Sequence, residues 1–327
     1  MARVAPLGTS VARRGGARSL ERREWLAAYV FMAPQIIGLI VFVVGPLLVS
    51  LYLTFTHWDL VAPAPSWVGL ANWRYFFQDS RIYTVLWNTV RFILTGTTSF
   101  LVLSLLLALL LNRPRRGIGL FRALFFLPFV LSQVAVGVTW RWMFNTQSGP
   151  IVQLFNLFGQ QSPDWLGDGA YAMTAIAIVT TWQGLGYGLT IYLAGLQGIP
   201  GHLTDAARVD GANALQRFRY VTFPLLSPTV LFLTITSLIG AFQLFDPVIV
   251  LTDAGASIST AGGPDNSTRT IVLYLYNQMF QYSERVSGLG YAATIAWMLA
   301  ILIFVVTALQ WSVARRWVFY GGGDDGR

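Results

Sequence analysis

Residues 200–228 read Pro-Gly-His-Leu-Thr-Asp-Ala-Ala-Arg-Val-Asp-Gly-Ala-Asn-Ala-Leu-Gln-Arg-Phe-Arg-Tyr-Val-Thr-Phe-Pro-Leu-Leu-Ser-Pro. This polar, arginine-bearing insert separates two long apolar stretches. Leu203, Ala206 and Ala207 fall at i, i+3 and i+4, which predicts one helical face that is slim enough to enter a groove. Gly211 is free to adopt a backbone conformation closed to other residues, so we expect the chain to turn there. On this pattern alone, the insert is either a docking element or an ordinary amphipathic connection.

The insert contains signals for two short helices. Pro200 can begin the first one, because a helix does not need the N–H of its first residue. Thr204 or Asp205 is expected to cap this helix or to lie in its first turn. In the second segment, residues 212–220, Leu215 and Phe218 are expected on one side.

The composition of the whole chain indicates an integral membrane protein. Of its 327 residues, 55% are hydrophobic and only 11% are charged, against about 25% charged in soluble domains. The apolar residues form runs of about 20, long enough to cross a bilayer. Backbone groups in hydrocarbon must be satisfied internally, so we expect an all-α fold. Six membrane-spanning helices are predicted, near residues 27–55, 82–111, 118–144, 170–199, 224–251 and 289–311.

The distribution of arginine predicts the orientation of these helices. All 22 basic residues are arginine, and sixteen lie in the N-terminal tail, in or next to the loop between the second and third spans, in the 200–223 loop, or after the sixth span. Because positive charge accumulates on the cytoplasmic side, both termini and the 200–223 loop are predicted to be cytoplasmic. The expected organisation is an arginine-rich tail (1–25), a six-helix domain (26–317) and a second tail (318–327). A retained first span is favoured over a cleaved signal peptide.

The composition also excludes several chemistries. The absence of cysteine excludes disulfides and thiolate sites, and the two histidines are too few for a His-rich metal site. The phosphate-binding P-loop needs a lysine, and this chain has none. Any ATP and Mg²⁺ must therefore be bound by a partner. We predict no catalytic, metal or cofactor site in this chain and no nucleic-acid partner.

Motifs along the chain resemble those of carbohydrate-type ABC-importer permeases, the maltose-permease relatives. The insert resembles their "EAA" loop, with Asp205 in place of the usual glutamate. The match continues in order from about residue 27 to 315, with 69–73, 121–128, 245–247, 262–264 and 290–297 as further segments. Between 252 and 262 lie residues that the family often lacks.

The resemblance implies a type I (MetI-like) ABC-importer permease in a bacterial inner membrane. Its expected partners are a second permease subunit, two ATPase subunits, an extracytoplasmic solute-binding protein, a sugar and membrane lipid. ATP binding would move the loop as a coupling helix and drive alternating access. The residues expected to contact the ATPase are Asp205, Ala206, Ala207, Asp210, Gly211, Leu215 and Phe218.

Residues of the fourth and fifth spans are candidates for contact with the sugar. Sugar sites combine aromatic faces with a few polar groups, and the candidates are Trp182, Gln183, Tyr187, Phe242, Gln243 and Asp246. For each aromatic residue, a role as an interface anchor is an equal alternative. Asp246 can instead serve as a helix cap. Gly184, Gly186 and Gly188 can allow another helix to approach closely.

Three other functions remain to be weighed. The same machinery could carry glycerol phosphate or a polyamine, although the absence of arginine from the predicted pathway favours a neutral sugar. An ion-coupled secondary transporter would need intramembrane ion sites, for which only Asp246 offers support. An intramembrane enzyme is disfavoured, because no catalytic motif is present.

Overall fold

A computed structural model describes residues 14–58, 63–112, 116–252, 261–280 and 288–318. Most of the predicted N-terminal tail, the inserted residues 253–260 and nearly all of the C-terminal tail lie outside these ranges. The chain forms two compact units, residues 1–52 and 53–327.

The first unit is one long helix with a local widening. Helix α1 (Arg14–Leu39) continues through a π-helical segment (Ile40–Val44) into α2 (Gly45–Leu53). Pro46 has no N–H, so it cannot make the regular helical hydrogen bond to the Phe42 carbonyl. A π-helical turn accommodates the missing hydrogen bond. Residues Glu24–Leu53 are long and apolar enough to cross a membrane, in agreement with the first predicted span.

A small hairpin and a surface helix open the second unit. Strands β1 (Thr56–His57) and β2 (Ser66–Trp67) pair antiparallel. They lead into the short helix α3 (Ala71–Gln78). The Asn72 side chain donates hydrogen bonds of 2.9 Å to the carbonyl oxygens of Thr54 and Thr56. These bonds hold α3 against the hairpin.

The second and third predicted spans differ in regularity. Helix α4 (Ser80–Phe92), a π-helical segment (Ile93–Thr97) and α5 (Thr98–Leu111) form one apolar rod. The third span was expected to be a single helix, and that prediction is wrong. It consists of α6 (Ile118–Val130) and α7 (Gln133–Met143), which are bent by 98° relative to each other.

Helix α9 lies at the centre of the second unit. It follows the short helix α8 (Pro150–Leu157) and runs over Gly169–Gln197, packed against α5 and α6. A Cβ at Gly186 would overlap the backbone of Phe125, and a Cβ at Gly188 would lie 2.6 Å from Ser104 Oγ. The expectation that these glycines let other helices approach closely is confirmed.

The remaining helices complete the bundle. Helices α10 (Gly201–Val209) and α11 (Ala214–Arg217) are followed by a π-helical segment (Phe218–Thr222) and α12 (Phe223–Phe242). Then come α13 (Asp246–Thr252), a 3₁₀ turn (Pro264–Asn266), α14 (Ile271–Phe280) and α15 (Leu289–Ala314). The fifth span was predicted to continue to residue 251, which is wrong, because the helix stops at Phe242.

By length and apolarity, the described residues contain four candidate spans, or five if the bent pair α6–α7 counts as one. The fourth predicted span, near residues 170–199, corresponds to α9, which is not among these candidates. Much of α9 is buried by neighbouring helices. A helix that is surrounded by protein needs less apolar surface than one that faces lipid, which accounts for its lower hydropathy.

Candidate functional site

Three helix interruptions converge on one cavity of about 470 Å³. The first is the π-helical segment between α4 and α5, which contributes Gly96 and Thr97. The second is the break between α6 and α7 at Leu131, and the third is the break between α12 and α13, which begins at Gln243. Irregular backbone at membrane depth is tolerated where it is buried in protein or lines a water-filled cavity. The cavity at which these interruptions meet is therefore the candidate site for a solute.

The cavity combines apolar walls with a few polar groups, the usual lining of a ligand site. Its aromatic residues are Phe92, Phe100, Phe129 and Phe245. Its polar residues are Thr97, Gln133, Thr180, Thr181, Gln183, Ser237, Gln243 and Asp246.

Hydrogen bonds fix several of the polar lining residues. Gln183 Nε2 donates to the Leu131 carbonyl at 3.2 Å, which satisfies a group freed by the break between α6 and α7. Thr181 Oγ1 donates to the carbonyl of Gly96 at 3.2 Å, across the π-helical segment. These two bonds join α9 to the break between α6 and α7 and to the π-helical segment. Helix α9 therefore links two of the three interruptions in the cavity wall.

Asp246 is the one charged residue among those that line the cavity. It lies in the first turn of α13, where the helix dipole favours a negative charge. The lining contains amide and hydroxyl groups but no cationic side chain.

The predicted sugar contacts divide into two groups. Gln183, Gln243 and Asp246 line the cavity. Trp182 instead packs edge-on against Trp140, with ring centroids 5.5 Å apart.

The two other predicted aromatics also serve packing. Tyr187 stacks on Phe129 at 5.2 Å, and Phe242 is buried in an apolar cluster. The polar lining residues that sequence reasoning missed are Thr97, Gln133, Thr180, Thr181 and Ser237. Their signal was a polar side chain inside an otherwise apolar span.

The 200–223 loop contains the predicted turn. Gly211 has a φ of 82° and follows Asp210, the C-cap residue of α10. Its N–H bonds the Arg208 carbonyl at 3.1 Å, and the Ala212 N–H bonds the Ala207 carbonyl at 3.0 Å. This pair of bonds is the Schellman motif, which ends a helix at a left-handed residue.

The start of α10 differs from the prediction. Pro200 occupies the N-cap position, and neither Thr204 nor Asp205 caps the helix. Helix α10 begins at Gly201, which places Asp205 beyond its first turn. Asp205 instead forms an ion pair of 3.0 Å with Arg208.

A capping box starts the second helix of the loop. Asn213 Oδ1 accepts from the Gln216 N–H at 2.9 Å, and Gln216 Oε1 accepts from the Asn213 N–H at 2.7 Å. Such reciprocal bonds satisfy free backbone donors at a helix start. The Arg217 guanidinium donates to the Ala212 carbonyl at 2.6 Å. These hydrogen bonds give the 200–223 loop a defined conformation.

The loop presents apolar side chains that nothing in the described part of the chain covers. Val209 is 88% exposed and Leu215 is 72% exposed. Leu203 and Tyr220 are also exposed, whereas Phe218 packs on Phe223 with ring centroids 5.9 Å apart. Of the predicted contact residues, Asp205, Ala206, Asp210, Gly211 and Leu215 are exposed, and Ala207 and Phe218 are partly buried.

The family model described as "binding-protein-dependent transport system inner membrane component" matches residues 100–318. The chain belongs to this family. It is a multi-pass permease of the inner membrane and a transport component rather than an enzyme. The matched region includes the 200–223 loop and most of the residues that line the cavity.

Individual relatives of this permease match over nearly their whole length. It is 34% identical to a probable ABC transporter permease protein, YesP, of Bacillus subtilis, covering 93% of this chain and 95% of YesP. It is 35% identical to the lactose transport system permease protein LacF of Rhizobium radiobacter, covering 91% and 97%.

A solved structure shares the fold of the permease. It is that of a bacterial alginate ABC transporter in complex with an alginate-pentasaccharide-bound periplasmic protein. The TM-score is 0.74 at 20% identity, covering 90% of this chain and 96% of the other.

Proposed function

We propose that this permease forms half of the translocation pathway for a di- or oligosaccharide in a bacterial ABC importer. The convergence of three helix interruptions on one polar-lined cavity carries the proposal. The likeness to a lactose permease supports a sugar as the solute. The cavity lining suits a neutral sugar, because it offers aromatic, hydroxyl and amide groups, with one carboxylate and no cation.

The proposed assembly includes four kinds of partner. A second permease supplies the other half of the pathway, and a pair of ATPases binds ATP and Mg²⁺. An extracytoplasmic binding protein delivers the sugar. We propose six spans with both termini inside, with α9 as the central span, which places the 200–223 loop in the cytoplasm beside the ATPases.

The helices that flank the loop provide the mechanical link. Residues Ala214–Phe242 form one apolar helix of 29 residues, about 43 Å long. One end of this helix lies in the loop, and its other end brings Ser237 and Gly240 to the cavity. Helix α9 enters the loop from the other side and carries Gln183. Movement of the loop would therefore tilt two cavity walls as rigid levers.

Reconstitution of the complete transporter in liposomes tests this function. We expect uptake of the sugar to require ATP together with the sugar-loaded binding protein, and to be independent of ion gradients. Uptake driven by a proton or sodium gradient without nucleotide would favour the secondary-transporter alternative. If the transporter took up glycerol phosphate or a polyamine but none of the sugars tested, the assignment as an ABC importer would stand. The assignment of a sugar as its solute would be wrong.

A further inference from the structure

Helix α8 has an apolar arc of which the fold covers only one side. Ile151 packs against an apolar core cluster, and the Phe155 ring contacts Trp165 at 6.3 Å. Leu154, Leu157 and Phe158 continue the arc at helical spacing and are 53%, 82% and 75% exposed. The exposed polar residues Gln153 and Asn156 lie on the opposite side. The helix therefore has a covered apolar edge, an uncovered apolar edge and a polar back.

The contact of α8 with the start of α9, proposed above as the central span, places α8 at the level of the lipid headgroups. Helix α9 has 29 residues, which corresponds to about 43 Å, and a bilayer core is about 30 Å thick. The first turn of α9 therefore lies about 6 Å beyond the hydrocarbon if the excess is shared equally. Trp165 contacts Tyr171 in that turn at 6.1 Å and also contacts Phe155, which fixes α8 at the same depth.

The surroundings of the uncovered edge indicate lipid as its occupant. Residues 145–160 contain no acidic, basic or histidine side chain, so they offer a soluble partner no electrostatic complementarity. Trp142 and Tyr171 are exposed at the same end of the bundle, and such aromatics mark the bilayer interface. An amphipathic helix at this depth lies in the plane of the membrane with its apolar face in the acyl boundary.

We propose that α8 is a membrane-surface helix whose Leu154, Leu157 and Phe158 side chains bind between the headgroups and acyl chains of phospholipids. Trp165 also contacts Phe144 beyond the end of α7, with ring centroids 5.6 Å apart. Through this ring, the lipid contact fixes the depth of one end of α7 and of α9. This anchoring role rests on the proposed arrangement in which α9 spans the membrane, and it does not depend on which solute is carried.

The absence of cysteine from this chain simplifies the test, because a single-cysteine variant can be labelled before assembly with its partners and needs no other substitution. Leu157→Cys and the matched control Asn156→Cys carry a nitroxide label in the complete transporter, in phosphatidylcholine nanodiscs. We expect the label at 157 to collide more often with oxygen than with an aqueous nickel complex. The label at 156 should show the reverse preference.

Two outcomes would overturn the proposal. One is equal access of the nickel complex to both labels, which would place Leu157 in water. The other is loss of access to both reagents at 157 when sugar-loaded binding protein is added, which would identify a protein partner. If Leu157→Cys does not assemble, Leu154→Cys and Phe158→Cys report on the same edge against Gln153→Cys.

Discussion

Asp79 is a buried carboxylate that ties three helices together. It is the N-cap of α4 and accepts hydrogen bonds from the Arg81 N–H at 3.1 Å and from Arg81 Nε at 2.9 Å. The hydroxyl groups of Tyr274 on α14 and Tyr291 on α15 donate to its other oxygen. Burial raises the pKa of Asp79, but these donated hydrogen bonds outweigh burial, and the net pKa is lowered. The ionised form is the one that the fold stabilises.

The lowered pKa of Asp79 predicts a loss of stability in acid. A carboxylate whose pKa is lower in the folded state stabilises the protein above its unfolded pKa, and this contribution is lost as the pH falls through the folded value. Asp79→Asn should lower the unfolding free energy by about 2 kcal/mol at neutral pH, because Arg81 and the two tyrosine hydroxyls lose a charged hydrogen-bond acceptor. The cost should shrink below about pH 4. Thermal unfolding of the detergent-purified protein at several pH values measures both effects.

Asp168→Asn is the matched control for this variant. Asp168 caps α9 by accepting from the Ala170 N–H at 2.8 Å, but it is exposed. Asparagine caps a helix about as well as aspartate, so this variant should unfold like the wild type. Equal effects of the two substitutions would show that the buried network around Asp79 contributes nothing beyond a helix cap.

Gly211 allows a test of the loop that leaves the core untouched. A Cβ at this position meets open space, so the cost of Gly211→Leu is the left-handed backbone, about 1–2 kcal/mol. We expect this variant to remain in the membrane while ATP hydrolysis is uncoupled from uptake. Gly211→Asn should retain more coupling, because asparagine tolerates the left-handed region. Wild-type uptake by the leucine variant would argue against a docking role for the loop.

Two cavity residues should affect the solute without affecting the fold. Within the described residues, the side chains of Gln243 and Asp246 have no hydrogen-bond partner, and both are exposed in the cavity region. Gln243→Ala and Asp246→Ala should unfold like the wild type but alter the sugar-stimulated ATPase rate. If sugar stimulation of the ATPase and sugar uptake were unchanged in both variants, Gln243 and Asp246 would not contact the solute.

At the scale of the element, helix packing depends on the glycines of α9. Gly186→Ala should destabilise the protein by about 2 kcal/mol, because the methyl group overlaps the α6 backbone at Phe125. Gly240→Ala on α12 meets open space and should be neutral or slightly stabilising, since alanine favours helix. Both variants add one methyl group to a helical glycine, so the difference between their melting temperatures measures the effect of the surroundings. Equal melting temperatures would contradict the close approach of α6 to α9.

The interruptions that form the cavity could not be located from hydropathy. An apolar run of suitable length predicts that a helix crosses the membrane, but it averages over the residues at which the helix breaks. Residues 118–144 read as one span although α6 and α7 are bent by 98°. The freed Leu131 carbonyl is satisfied by Gln183, which lies 52 residues further along the chain. That distant donor satisfies a backbone oxygen that the helix break leaves without a partner in its own helix.

At the scale of the whole molecule, local signals were the most reliable. The turn at Gly211 and the second short helix after it both follow from residues within a few positions of one another. The misplaced cap at Asp205 is a local error, since the helix begins three residues before Thr204. The close packing at Gly186 was also readable, because small residues have few other uses in an apolar helix.

The sequence by itself determined that this chain is a helical membrane protein of a known permease family, with a polar loop between its fourth and fifth apolar stretches. Apolar length, arginine placement and glycine conformation are properties of neighbouring residues, so they can be read without a structure. Only the tertiary structure decided that Asp79 is buried against tyrosines 195 and 212 residues away, and that three separate interruptions line one cavity. These features depend on which helices meet, and helix pairing is set by packing between distant segments rather than by any local pattern.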